Sequence, residues 1–374
     1  MKRHINYSFL ALTTALLVSG LLFLSTLSAI ASLQVFGNTS YYIFHQLIAV
    51  LIGLVLGLIA LNIPLPFLKK IAPWLLLANI AALIIVFIPL FGTKLGGASR
   101  WISIGNNTFQ PSEFFKITAI LYIAAWLSNR SLAGGKKNWL MAAKKNYHSF
   151  IQSYLPFIFF LGIIAIILVL QKDMSTLGII TIALITMYFM AETPVWQTMV
   201  TIAGGFGAAL LLILHKQYRL DRLMIFLHPE LDPLGIGHQL NQAKLAIGSG
   251  GIFGKGLGMS VQKFGFLPES MSDSIFAILG EETGIIGCTV LILAFLAFLY
   301  LGFKIANSAT DSFSKLTAVG ISTWIIFQAF INIASNLGLF PLSGIPLPFF
   351  SYGGSHIIAE LIAVGLLLNI SKNG

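Results

Sequence analysis

Residues 273–302 read DSIFAILGEETGIIGCTVLILAFLAFLYLG, and beyond Glu282 the stretch carries no charge. A helix needs about 20 apolar residues to cross roughly 30 Å of hydrocarbon, and this run supplies them. Comparable runs recur at 8–31, 44–63, 73–91, 113–128, 154–170, 174–191, 196–214, 316–336 and 349–370. None shows the short alternating segments of an outer-membrane barrel. The chain is 57% hydrophobic and 9% charged, against about 25% charged in a soluble domain, so it could not present a wettable surface in water. The expected fold class is therefore all-α: a polytopic integral membrane protein of about ten transmembrane helices. It forms one domain over residues 1–374, with a large extracytoplasmic loop at about 215–272 between the seventh and eighth helices.

The basic residues of the short loops set the orientation. With a cytoplasmic N-terminus, the inner loops hold Lys2, Arg3, Lys69, Lys70, Arg130, Lys136, Lys137, Lys144, Lys145, Lys304, Lys315 and Lys372, whereas the short outer loops hold Lys94, Arg100 and Lys172. Both termini are then cytoplasmic. The first run begins with Lys2 and Arg3 and contains an Ala29-Ile30-Ala31 triplet, yet it exceeds the length of a signal-peptide core and reads as a retained helix. The basic segment at about 129–153 is expected to lie on the anionic inner leaflet. The net charge of +10 reflects this topology and gives no support to nucleic-acid binding. The single Cys288 excludes an intramolecular disulfide.

Between Arg219 and Gly287 stand Asp221, Glu230, Asp232, Glu269, Asp273, Glu281 and Glu282, seven of the chain's twelve acidic residues. Charge near a bilayer is costly unless solvated or paired, so this stretch reads as the working site. Asp273 by itself reads as an N-cap of the eighth helix. Glu281 is about 12 Å further along the axis and about 80° around it, too far to form an acid/base pair with Asp273 across one glycosidic bond. The run Gly248-Ser249-Gly250-Gly251-Ile252-Phe253-Gly254-Lys255-Gly256-Leu257-Gly258 has Ser249 where a nucleotide-binding loop needs glycine. Its bland reading is a backbone that requires positive φ and close packing. Upstream, Pro111 fits the first position of the fourth helix and Glu113 its first turn. Lys116 follows at (i, i+3), either as a helix pair with Glu113 or as an intramembrane functional cation. Glu360, within the last run, has no evident partner, and the seven histidines show no metal-ligand spacing.

Several of these stretches resemble the SEDS family of peptidoglycan glycosyltransferases, the FtsW/RodA/SpoVE proteins. They are Gly97-Ala98-Ser99-Arg100-Trp101-Ile102 with Gln110-Pro111-Ser112-Glu113 and Lys116; Tyr218 and Arg222 with Asp232-Pro233; Ala246-Ile247-Gly248-Ser249-Gly250-Gly251 with Gln262-Lys263 and Leu267-Pro268-Glu269; Asp273 with Ile275-Phe276-Ala277 and Glu281-Glu282; and Pro346-Leu347-Pro348-Phe349 with Ser351-Tyr352-Gly353-Gly354-Ser355. Phe226-Leu227-His228-Pro229-Glu230-Leu231-Asp232-Pro233 is nearest the division-site branch, FtsW. The pattern departs at Ser272-Asp273-Ser274, Gln171-Lys172-Asp173-Met174-Ser175-Thr176, Gly237-His238-Gln239 and His356, leaving the aspartate in place.

The resemblance implies polymerisation of lipid II into glycan strands at the outer face of the bacterial cytoplasmic membrane. Asp273 corresponds to the family's essential aspartate, the general base for the acceptor's sugar hydroxyl. Arg100, Lys116, Arg222 and Lys263, or a divalent cation (Mg or Mn), would neutralise the leaving pyrophosphate. Gln110, Glu113, Ser351, Gly250 and Gly251 complete the expected substrate-binding set. Implied partners are lipid II, a class B penicillin-binding protein as transpeptidase, other division-site membrane proteins and membrane lipids. The alternatives are an elongation-type polymerase, a lipid II flippase and a non-enzymatic scaffold, of which the flippase calls for a midplane site between repeats.

Overall fold

The computed structural model describes residues 5–88, 91–95, 98–105, 107–129 and 150–373. The chain runs α1 (Tyr7–Phe36), α2 (Tyr41–Asn62), α3 (Leu65–Ile85), β1 (Gly92–Leu95), β2 (Ala98–Ile104), β3 (Asn107–Phe109), α4 (Pro111–Ser128), α5 (Leu155–Leu170), α6 (Met174–Met190), α7 (Val195–Leu214), α8 (Gln217–Leu227), α9 (Ile236–Gly250), α10 (Ile275–Ser308), α11 (Ser312–Asn336) and α12 (Gly354–Asn373). Each of the ten apolar runs contains a helix, and among the described residues eight spans are long and apolar enough to cross a membrane by length and composition. Gly96, Gly97, Asn106 and nearly all of the basic segment at 129–153 lie outside the described residues.

The bundle is graded from centre to rim. Over the most apolar stretch of 18 residues in each, 83% of α11 and 72% of α12 are buried, against 17% of α7. Polar side chains on α11 therefore face protein rather than lipid: Ser322, Thr323, Gln328, Asn332 and Asn336 are all buried. Helix α2 lies along α12 through Gly53 and Gly57, where a Cβ on Gly57 would stand 2.7 Å from the Leu361 carbonyl. Small residues four apart let two membrane helices touch backbone to backbone. Asn369 seals that contact by donating to the carbonyls of Ala60 and Ile63, each at 2.7 Å. The Asn6 amide donates to Ser371 Oγ (3.2 Å), so the two chain ends meet at one end of the bundle. The strands, the α5–α6 turn, the 215–274 segment and the α11–α12 loop gather at the other.

Three features differ from the expectation. A three-stranded antiparallel sheet, β1-β2-β3, stands between α3 and α4, with Thr93 opposite Trp101 and Ser103 opposite Thr108. Its alternation is too short to register between two long apolar runs. The loop at 215–272 contains α8 and α9, so it is a folded cap. Finally α10, read as one continuous span, breaks at Gly284 (φ 65°, ψ −165°). The break leaves backbone groups that lipid cannot satisfy, and the glycine-rich segment supplies the partners. Ile285 N and Ile286 N donate to the carbonyls of Gly251 and Ile252, while Lys255 N and Gly256 N donate to those of Glu281 and Glu282. A Cβ on Gly284 would lie 2.5 Å from Gly254 N, which is why both positions are glycine.

Candidate active site

Asp273 does not cap α10. The helix begins at Ile275, the cap position is Ser274, and no side chain there bonds the first turn. The residue lies instead in a short segment fastened by its backbone from three directions. Asn332 and Asn336, one turn apart on α11, each donate Nδ2 to the Asp273 carbonyl at 2.9 Å. Ser351 Oγ donates to the Ser272 carbonyl at 2.5 Å, and Tyr352 N donates to the Met271 carbonyl at 2.8 Å. Within the segment, Ser272 N and Ser274 N both donate to the Glu269 carbonyl, a turn made with Glu269 at φ 51°.

This fastening leaves the carboxylate unoccupied. Among the described residues it accepts no hydrogen bond, and it is partly buried. Gly344 (φ 65°) stands beside it, where a Cβ would come 3.5 Å from Oδ2. Burial, and next the charge of Glu269, push Asp273 up from 3.8 to about 7, while Arg100 and Arg222 pull the other way. Side chains from β2, α8 and the segment before α10 thus share one electrostatic site at the end of the bundle away from the termini. Arg100 donates Nη2 to the Lys172 carbonyl in the α5–α6 turn, and its Nε is buried without a partner. Arg222 is exposed on α8. A poised proton acceptor beside two guanidinium groups, one with a donor to spare, suits a hydroxyl acceptor and an anionic leaving group.

The other predicted residues fall elsewhere. Lys116, 1% exposed, donates to Glu113 Oε2 (2.7 Å) and Gln328 Oε1 (2.8 Å) and lies 4.8 Å from the centre of the Trp324 ring. Gln328 passes the network on to the Pro346 carbonyl and Glu360, whose Oε2 accepts from Phe349 N at 2.9 Å. Lys116 and Glu113 therefore brace, from below, the 345–352 loop that holds Asp273, and Glu360 gains the partner its sequence context withheld. Ser351, fully buried, is a backbone clamp. The Gln110 amide N donates to Ser355 Oγ, and its side chain donates to Ser112, which in turn bonds the buried Asp173 at the start of α6.

The glycine-rich segment bears out its packing reading. Gly250 is pressed against the Gly280 carbonyl, Gly251 adopts φ 56°, and the loop that follows wraps two carboxylates of α10. Glu281 accepts from Lys255 Nζ (2.7 Å), Ser260 Oγ and the amides of Val261 and Gln262, while Glu282 accepts from the amides of Gly258 and Ser260. Lys263, 6% exposed at its side chain, is 3.7 Å from Glu282. Four of the chain's charges, Lys255, Lys263, Glu281 and Glu282, are thus spent on holding the broken helix and its loop. Among the described residues no three His, Cys, Asp or Glu side chains form a metal-binding group.

Sequence reasoning missed Asn332 and Asn336. The signal was present: Gln328, Asn332 and Asn336 recur every fourth residue in an apolar helix, and a polar stripe inside a membrane span marks something held there.

A family model described as cell cycle protein, covering FtsW, RodA and SpoVE, matches residues 7–374. The probable peptidoglycan glycosyltransferase FtsW of Trichlorobacter lovleyi is 37% identical over 365 residues, 97% of this chain and 92% of that protein. Stage V sporulation protein E of Bacillus subtilis is 35% identical over 96% of this chain and 94% of its own length. Among solved structures, a chain from a study of how a peptidoglycan synthase complex coordinates polymerisation and crosslinking superposes with a TM-score of 0.77 at 24% identity, covering 98% of this chain and 97% of its own. The rod shape determining protein RodA of Thermus thermophilus superposes at 0.69 with 23% identity, covering 98% of this chain and 96% of its own. With the family matched along nearly its whole length and the fold shared, the chain belongs to the FtsW/RodA/SpoVE family of cell cycle proteins.

Proposed function

We propose that the protein is a peptidoglycan glycosyltransferase that polymerises lipid II at the outer face of the cytoplasmic membrane, with both termini cytoplasmic. The observation that carries this is Asp273: a carboxylate held by its backbone, free of hydrogen bonds among the described residues, raised to about 7 and within the electrostatic reach of Arg100 and Arg222. In the reaction Asp273 takes the proton of the acceptor's sugar 4-hydroxyl as that oxygen bonds C1 of the donor sugar. The bond from C1 to the pyrophosphate oxygen breaks with its electron pair, the configuration inverts, and the lipid pyrophosphate leaves. A pyrophosphate needs charge neutralisation more than a proton, which is the part given to Arg222 and the spare Nε of Arg100. Glu269, whose charge reaches Asp273, would hold a divalent cation, Mg or Mn, together with phosphate oxygens, which leaves Asp273 free to take the proton. Such an ion would add to the neutralisation of the leaving group.

The relatives named FtsW favour a division-site role, and the synthase-complex neighbour favours a crosslinking partner, a class B penicillin-binding protein packed by its single helix. The test is the purified protein in liposomes with labelled lipid II. Glycan polymer is expected; lipid II translocation without polymer would replace the enzyme with a transporter.

A further inference from the structure

At the end of the bundle opposite Asp273, a cavity of about 430 Å³ lies between the first turns of α3 and the last turns of α4. The chemistry above does not use it. Its walls include Pro66, Lys69, Lys70, Pro73, Tyr122 and Trp126. Neither lysine pairs with a carboxylate among the described residues. Pro73 sits inside α3, so the Lys69 carbonyl four residues earlier lacks its helical N–H donor, and both residues line the cavity. Tyr122 and Trp126 are partly buried, with the apolar body and polar edge suited to the membrane–water boundary. Counted from Leu65, the first residue of α3, the two lysines stand about 6–8 Å along its axis, within its first two turns. Beyond them α3 exposes Trp74, Leu77 and Ile84, an apolar wall continuing into the hydrocarbon.

We infer that this cavity binds one anionic phospholipid of the inner leaflet. Its phosphate lies against Lys69 and Lys70, a headgroup hydroxyl donates to the Lys69 carbonyl, and the acyl chains follow the exposed face of α3. Basic pockets between membrane helices on the cytoplasmic side are suited to such headgroups. An acidic protein segment would satisfy the lysines but leave the adjoining apolar wall bare. The leaflet assignment rests on the orientation proposed above, whereas the binding itself does not depend on polymerase activity.

The test is native mass spectrometry of the full chain, purified and exchanged against equal amounts of phosphatidylglycerol and phosphatidylcholine. One phosphatidylglycerol should be retained in preference. In Lys69→Gln/Lys70→Gln the preference should fall about thirty-fold, the combined contribution of two lysines at an anionic surface. Lys69→Arg/Lys70→Arg should keep it, and Lys304→Gln/Lys315→Gln, two lysines at the same end of the bundle, should leave it unchanged. Equal retention of both lipids, an intact preference in the glutamine pair, or loss of it in the arginine pair would overturn the site. Protection by excess inorganic phosphate as strong as by the lipid would reassign the cavity to a free anion and overturn the lipid proposal. Polymer synthesis is read separately, so failure of this site leaves the enzymatic reading standing.

Discussion

Glu269→Gln offers a test with a predetermined sign. With Asp273 at about 7 rather than 3.8, the fraction of base ready to accept a proton is about a tenth at pH 6 and about nine tenths at pH 8. The polymerisation rate at limiting lipid II should therefore rise about tenfold across that window. A carboxylate near its ordinary value would give a flat line, and the pyrophosphate diester of the substrate does not titrate there. The charge of Glu269 is the second cause of the rise after burial, so Glu269→Gln should move the curve toward acid. Arg222 pulls the other way, so Arg222→Gln should move it toward alkali. The assay is initial-rate synthesis of fluorescent glycan by liposome-reconstituted protein, with each variant compared at its own plateau. A flat profile between pH 6 and 8, or a shift of either variant in the opposite direction, would refute the electrostatic site.

Replacing both Asn332 and Asn336 with alanine strips the Asp273 carbonyl of its donors. We expect a loss of about 1–3 kcal/mol in stability and a fall in kcat with little change in KM, read by thermal unfolding and steady-state kinetics. Lys116→Met leaves Glu113 buried and unpaired, so it should destabilise the fold by about 3–5 kcal/mol, and adding Glu113→Gln should recover much of this in a thermal-shift assay. Cysteines at Gln262 and Ser312, in a Cys288→Ser background, test orientation: an impermeant thiol reagent added outside should label the first and spare the second.

The apolar helices were legible because each lies in a long apolar run, a pattern that survives without knowledge of its neighbours, and among the described residues eight of them are long and apolar enough to cross a membrane. Asp273 was legible by resemblance, but its setting was not. Capping is a local reading, whereas the residue is held by Asn332 and Asn336, 59 and 63 positions away, and by a loop further still. For Lys263 the partner, Glu282, is nineteen positions off, whereas the helix pair of Lys116 with Glu113 was one of the two readings its spacing allowed. A cation in a sequence carries no mark of whether its carboxylate partner has already claimed it, and both had been claimed, by Glu113 and Glu282. The break in α10 was hidden because Gly284 shows its φ only when Gly254 packs against it. Sheet strands as short as β1 and β3 fall below the length at which alternation separates from chance.

The central claim is that Asp273 removes the proton, and its most direct test is polymerisation by the purified Asp273→Asn variant. Asparagine keeps the size and the backbone contacts, since Asn332, Asn336 and Ser351 reach this segment through the main-chain carbonyls of Asp273 and Ser272. The change also removes a charge that burial disfavours, so at pH 8 the variant should melt no lower than the unaltered protein and should still bind lipid II. Loss of a general base typically costs about 10²–10⁴ in rate, and the account predicts no detectable glycan polymer. Polymer at a near-normal rate from a folded Asp273→Asn protein would contradict it.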